Sequence, residues 1–452
     1  MQTKLESILK KENLEHLLAV FVQQGVTDSI LIDLSSDDLR DLGVDKLGER
    51  KRLLAAFADE IASDVTNHLE SPEAPTARQE DFTHEASHGA VKIIGFQGKG
   101  HIKIPQECDG LPVRAIAHGA FRDNGSLLSV LIPEGVTSIA HGAFANCTSL
   151  TSVTIPDSLT VIDANPFDNC PSLVNIKISD SHEKFSALHG AVYNRSQSEI
   201  VLLPPGLTEC EMPETVKCIG EFAFQGHENL RTVTVSSHVT DIRERTFSGC
   251  RNLNSVIIPI GVTKIGDNAF SGCGNLRGLL IPATVTAIGD GAFSGCKILD
   301  SVEIPDAVKC IRDHTFQGCE NLKSVTIPNS VVTIGEHAFS NCKNLGSVDI
   351  PDSVSNIGRF AFWSCEMLVN VKISTTVTRI CDGVFYGCRN LKNVVIPDGV
   401  TAIGGHAFAR CSSLNSLRIP NSVKFIGEDA FFSCPVDQPM QAEPKKEKTV
   451  PR

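Results

Sequence analysis

The sequence predicts a two-part chain: a small all-α bundle of helices, then a long solenoid of short parallel strands wound in 23-residue coils. Three observations point there. Phe recurs every 23 residues in two runs, Cys and Leu follow most of these Phe at fixed offsets, and the first 65 residues lack this period but carry apolar residues at helical spacing.

Within residues 1–65, Leu5, Ile8 and Leu9, then Leu14, Leu17, Leu18 and Phe21, fall on one side of helices. Ser35-Ser-Asp-Asp38 before Leu39 and Leu42 reads as a capping-box start, with Gly43 as the matching stop. A last helix begins near Gly48 and aligns Leu53, Leu54, Phe57 and Ile61. The run from Leu31 through Asp38-Leu39-Arg-Asp-Leu42-Gly43 to Gly48-Glu-Arg50 resembles a sterile alpha motif (SAM) domain over about residues 5–63, although the Trp often found near that family's first helix is missing.

The resemblance implies head-to-tail association, an acidic middle surface of one copy meeting the basic start of the last helix of another. It assigns Asp33, Asp37, Asp38 and Asp41 to the first surface and Lys46, Arg50, Lys51 and Arg52 to the second, where the helix N-terminus adds positive partial charge. Opposite patches on one small domain favour open chains of copies. Plain solvated helix faces and RNA-hairpin binding through Arg50 to Arg52 are the alternatives. Residues 66–89 are polar and contain prolines, and read as a flexible linker.

The solenoid is expected over residues 90–434. Phe stands at 121, 144 and 167, then at 224, 247, 270, 293, 316, 339, 362, 385, 408 and 431, so the surplus of Phe (22, against one Trp and two Tyr) is a consequence of the period. Cys follows three residues after most of these Phe and Leu six after. In the unit from Cys319 to Phe339, Leu322, Val325 and Ile327 alternate inward on a short strand while Ser324 and Thr326 face out. Pro328 ends the strand, Val331 and Ile334 point a second extended segment inward, and Gly335 is read as permitting the turn that returns Ala338 and Phe339 to the core. No unit buries its apolar side alone, so neighbours must stack.

This unit, Cys-x-x-Leu-x-x-Val-x-Ile-Pro-x-x-Val-x-x-Ile-Gly-x-x-Ala-Phe, closely resembles the BspA-type (Treponema pallidum) leucine-rich repeat family. The segment Val91–Gly98, with Ile104-Pro105 and Gly110–Val113, looks like that family's opening unit and is taken as the first cap. Between Phe167 and Phe224 the step is 57 residues, one ordinary coil plus a longer one near 179–213. Ala191–Pro205 there reads as a hairpin. Longer units recur in the family, so the insert is architectural.

Sixteen Cys invite a disulfide or zinc reading. Stacked coils place equivalent Cα atoms ~4.8 Å apart, but parallel Cβ vectors keep the Cβ atoms beyond the ~3.8 Å mean of real bridges. No short Cys pair for zinc occurs, the one short His pair is His84-Glu-Ala-Ser-His88, and His227 and Asn124 occupy Cys slots. A reduced packing ladder is expected, with no metal and no cofactor. Three sequons, Asn124, Asn146 and Asn194, matter only if the chain is secreted.

A net charge of −12 argues against a nucleic-acid-coating surface, and nothing approaches the ~20 apolar residues of a membrane span. The N-terminus shows no secretory pattern, which gives a cytoplasmic expectation. His118, His141, His314, His337 and His406 sit before ladder Phe at exposed turns with no fixed acid or nucleophile partner, so no catalytic residue is assigned. Residues 435–452 read as a disordered tail.

The outward strand positions are more informative. One column is small and polar, while the next varies: Thr234, Ile257, Leu280, Glu303, Thr326, Asp349, Lys372, Val395 and Arg418. Such a flat face with one diverse column suits a protein or peptide lying along it. The expectation is a non-enzymatic scaffold or adaptor in signalling, with a SAM module for homo- or hetero-association and a repeat face for protein ligands; a surface or secreted adhesin is the alternative.

Overall fold

The computed structural model describes residues 77–436 throughout. Ahead of them it describes helices Lys4–Lys11 and Leu18–Gln23 and single positions between 14 and 56. In that first region Leu5, Ile8, Leu9, Leu14, Leu17, Phe21, Leu39, Val44, Leu53 and Ala56 bury into one apolar cluster, with Leu18 and Leu42 packed against it. The expected helical faces therefore meet, while Leu54, Phe57 and Ile61 lie outside the described residues.

The chain divides into two compact units, with the boundary between Arg195 and Thr208. This is where the 23-residue phase of the Phe is broken. In the first unit the repeat begins earlier than expected. Phe82–Ser87, inside the segment read as linker, is a strand paired antiparallel with Ala90–Phe96. Its polar run Thr-His-Glu-Ala-Ser hides a strand because only Phe82 points inward, 4.7 Å from the Phe96 ring. Parallel ladders then run Leu127–Leu131, Ser152–Thr154, Asn175–Lys177 on one face and Leu111–Ile116, Ser138–Ile139, Val161–Ile162 on the other. The insert places strands at Ala191–Asn194 and Glu199–Leu202, on the two apolar runs expected. A further strand, Phe185–Leu188, pairs antiparallel with the first of these through His189-Gly190, both at positive φ.

In the second unit every coil contributes a strand of two residues on one face, such as Thr333–Ile334, and most contribute one of three on the other, such as Ser324–Thr326. The interior is a column of buried rings: Phe316, Phe339 and Phe362 stack at 5.4 and 5.2 Å with planes 11° and 7° apart. As read from the sequence, Leu322, Ile327, Val331, Ile334 and Ala338 are buried, and Ser324 and Thr326 are exposed.

Two positions per coil, two residues before and two after each ladder Phe, adopt left-handed backbone, for example His337 at φ 54° and Asn341 at 60°. Gly, Asn, His and Asp tolerate this region best, which explains those slots. Gly335 is not one of them, and the turn reading needs correction. A Cβ there would lie 2.6 Å from both the Arg312 carbonyl carbon and the Asp313 nitrogen of the preceding coil, so Gly335 serves close stacking of backbones.

The cysteines are free thiols, and their slot has a hydrogen-bonding role. Each ladder Sγ–H donates to the carbonyl of the Phe 26 residues earlier, as Cys319 to Phe293 and Cys365 to Phe339, both at 3.2 Å. In the first unit Asn124 occupies the slot and its Nδ2 donates to Gly98 instead.

Candidate binding surface

The strand column faces outward in register. Thr234 lies beside Ile257, Glu303 beside Thr326, and Asp349, Lys372 and Val395 run side by side. Thr234 is half-buried and the other eight are exposed, with Ile257 at 61%, Leu280 at 79% and Val395 at 69%. Arg418 lies 3.4 Å from Asp398, both well exposed. The column is not one unbroken ladder. Arg277–Leu280 form no strand, only a bridge from Gly278 to Ser301, so pairing stops between Ile257 and Leu280.

At this interruption lies a depression of about 570 Å³ lined by Arg231, Asn252, Asn254, Asn275, Arg277 and Ile298. Arg231 and Arg277 follow ladder Leu residues two coils apart, directly before the strand positions. The sequence reading passed over this column; its signal is the residue after each ladder Leu, which is Arg at 231 and 277. A second depression, of about 470 Å³, lies in the first unit, with Lys103 and Lys177 at its ends and Glu134 and Asp157 on its wall.

Of the SAM-type contact residues, Asp33, Asp37, Asp38, Asp41, Lys46, Lys51 and Arg52 lie outside the described residues. Arg50 is half-buried and its Nη1 donates to the Val44 carbonyl at 2.8 Å, a contact inside its own region. The histidines form aromatic stacks: His118 on His141 at 5.7 Å, and His314 on His337 at 5.2 Å with Phe360 beyond at 5.0 Å. Burial and the His314 ring hold His337 below the ordinary imidazole range. Among the described residues no His, Cys, Asp and Glu cluster able to hold a metal is present, and no helix is long and apolar enough to cross a membrane.

Residues 114–209, 204–323 and 309–436 match the BspA type leucine rich repeat region, and residues 5–59 match the SAM domain (sterile alpha motif). No curated protein matches the chain. Among solved structures, a leucine rich cell surface protein from Faecalibacterium prausnitzii is 30% identical over 82% of this chain and 94% of its own, with a TM-score of 0.49. A leucine-rich repeat protein from Bacteroides ovatus is 24% identical over 78% and 91%, at 0.39. The T. pallidum leucine rich repeat protein is 25% identical over 60% and 91%, at 0.22. By its repeat, the chain belongs to the BspA-type leucine-rich repeat family, with a SAM domain at its N-terminus.

Proposed function

We propose that the chain is a non-enzymatic protein-binding scaffold, its outward strand column holding a protein ligand and its SAM domain linking copies or partners. The observation that carries the reading is the column itself: eight exposed side chains of mixed character, three of them large and apolar, on a face otherwise lined by small polar residues. Neighbouring aliphatic groups left in water, as Ile257 and Leu280 are, mark surfaces that another molecule covers, whereas a lone one such as Val395 does not. The reading extends to a cytoplasmic location. It rests on the sequence of the N-terminus, and glycan found at Asn194 on the isolated protein would count against it.

Crosslinking followed by mass spectrometry, on the protein isolated from its own cells, tests the ligand half. Partners captured by wild type and lost from a Leu280→Ser, Val395→Ser variant support the reading, and capture indifferent to the column opposes it. For the SAM half, light scattering compares wild type with Asp38→Lys and Lys51→Glu. Arg50 is avoided because its guanidinium holds the Val44 carbonyl. Assembly of wild type lost in either single variant supports head-to-tail contact, and three equally monomeric proteins oppose it.

A further inference from the structure

We propose that the depression between Arg231 and Arg277, together with Ile257 and Leu280, is one recognition site for an extended peptide carrying a carboxylate side chain and, two or three residues away, a branched aliphatic side chain. The inference rests on the strand face being a protein-binding surface, and it specifies the coils used and the chemistry selected.

Charge comes first. The chain is acidic overall, yet the depression has no carboxylate in its lining. Among the described residues Arg231 and Arg277 make no ion pair, while neighbouring Arg251 is held by Glu228 at 3.2 Å. Coils stack at ~4.8 Å, so equivalent positions two coils apart stand ~10 Å from each other. Two flexible guanidinium arms rooted at that distance, and lining one cavity, can close on a single carboxylate. The other lining groups also supply donors. Asn275 donates to Asn252 at 3.0 Å and Asn252 to the Glu228 carbonyl at 2.8 Å, which fixes that pair, and among the described residues Asn254, between the arginines, makes no side-chain hydrogen bond.

The apolar half lies a few residues along the same coils from the charged half. Ile257 follows Asn254 by three residues and Leu280 follows Arg277 by three, about 10 Å along extended backbone at ~3.3 Å per residue. Gly278 stands where other coils have Ser, Thr or Asn, and a Cβ placed on it meets nothing within 4 Å. The floor between Arg277 and Leu280 is therefore open, and the exposed Ile257 and Leu280 side chains stand at its far edge. An extended ligand presents the same face every second residue at ~6.6 Å as a β-strand, or every third at ~9.3 Å as polyproline II. The polyproline II repeat matches the ~10 Å from the arginine row to Ile257 and Leu280, and the β repeat falls ~3 Å short of it, a gap that the reach of the Arg231 and Arg277 side chains covers when the carboxylate sits between them.

The test uses the full chain against a random octapeptide array. Wild type is expected to enrich peptides with Asp or Glu two or three residues from Leu, Ile or Val. Anisotropy of one labelled enriched peptide should then show about 100-fold weaker binding to Arg231→Gln/Arg277→Gln and about tenfold weaker to Leu280→Ser, with the melting temperature unchanged. Changing the peptide's acid to its amide should weaken binding to wild type and leave the double variant unaffected. Binding equal in all three proteins but lost in Asp349→Lys/Lys372→Glu overturns this site and leaves the strand-face reading standing. Indifference to every one of these variants, or no enriched peptide at all, overturns both. Binding of a sulfated oligosaccharide that needs both arginines, with no acidic peptide enriched, overturns the peptide assignment.

Discussion

The Cys342 thiol donates to the carbonyl oxygen of Phe316, 26 residues earlier, at 3.2 Å. That oxygen also accepts the Cys319 amide at 3.2 Å, so both of its lone pairs are used in a site closed to water. Removing the thiol leaves half of a buried carbonyl unsatisfied and a small void beside it. Cys342→Ala is expected to lower the unfolding free energy by about 1–2 kcal/mol. Cys342→Ser, which keeps a donor, should cost less. Urea unfolding followed by circular dichroism measures the difference, and equal losses would show that the sulfur acts by volume alone.

The same burial makes the ladder sensitive to alkali. Burial pushes the Cys296 thiol up to about 12 from 9.0, and raises Cys342, Cys365 and Cys388 as well. The folded state keeps these protons longer than the unfolded chain. Their stabilising contribution is thus whole below pH 9 and shrinks as pH rises from there toward the folded values. Urea midpoints are expected to be insensitive to the thiols from pH 6 to 8 and to fall steeply above pH 9. Alkylation at pH 8 should label exposed Cys310 first and leave the buried ladder unlabelled until the chain unfolds.

Two glycines predict opposite outcomes for the same substitution. Gly335→Ala drives a methyl against the Arg312 and Asp313 backbone and should cost about 1–3 kcal/mol. Gly278→Ala meets open space on the strand face and is expected to be neutral within about 0.5 kcal/mol, or slightly stabilising. Thermal melts of the two variants side by side decide it.

His337 gives the acid limb. Its folded pKa is depressed by burial and by His314, with Glu336 and Asp313 acting the other way. The unfolded chain takes the proton first as pH falls through 6.5, so stability is lost from there down to the folded value and is whole above it. NMR titration should place the His337 ring below an ordinary imidazole. His337→Asn, which tolerates the same left-handed backbone, should flatten the stability curve below pH 6.5.

Much of the molecule was legible because translation repeats one environment. Phe339, Leu322, Val331 and Ile334 are legible as interior residues, since a 23-residue period leaves one slot for each. The strand Phe82–Ser87 was not legible, because an edge strand with one buried residue has the composition of a linker. Gly335 could be identified as required, but the reason lay in the backbone of a neighbouring coil. The outward column was visible as variation, whereas Arg231 and Arg277, 46 residues apart, meet in one depression only when coils stack.

The repeat, its inward and outward faces and the helical spacing of the first region are written in the chain. All three are local periodicities, which fix where a side chain points relative to its own backbone. What each side chain meets is set when the coils pack: the carbonyl that receives each thiol, the backbone that forbids a Cβ at Gly335, and the break in pairing beside Ile257 and Leu280. Those depend on the distance between coils, a quantity set by packing that no single repeat contains.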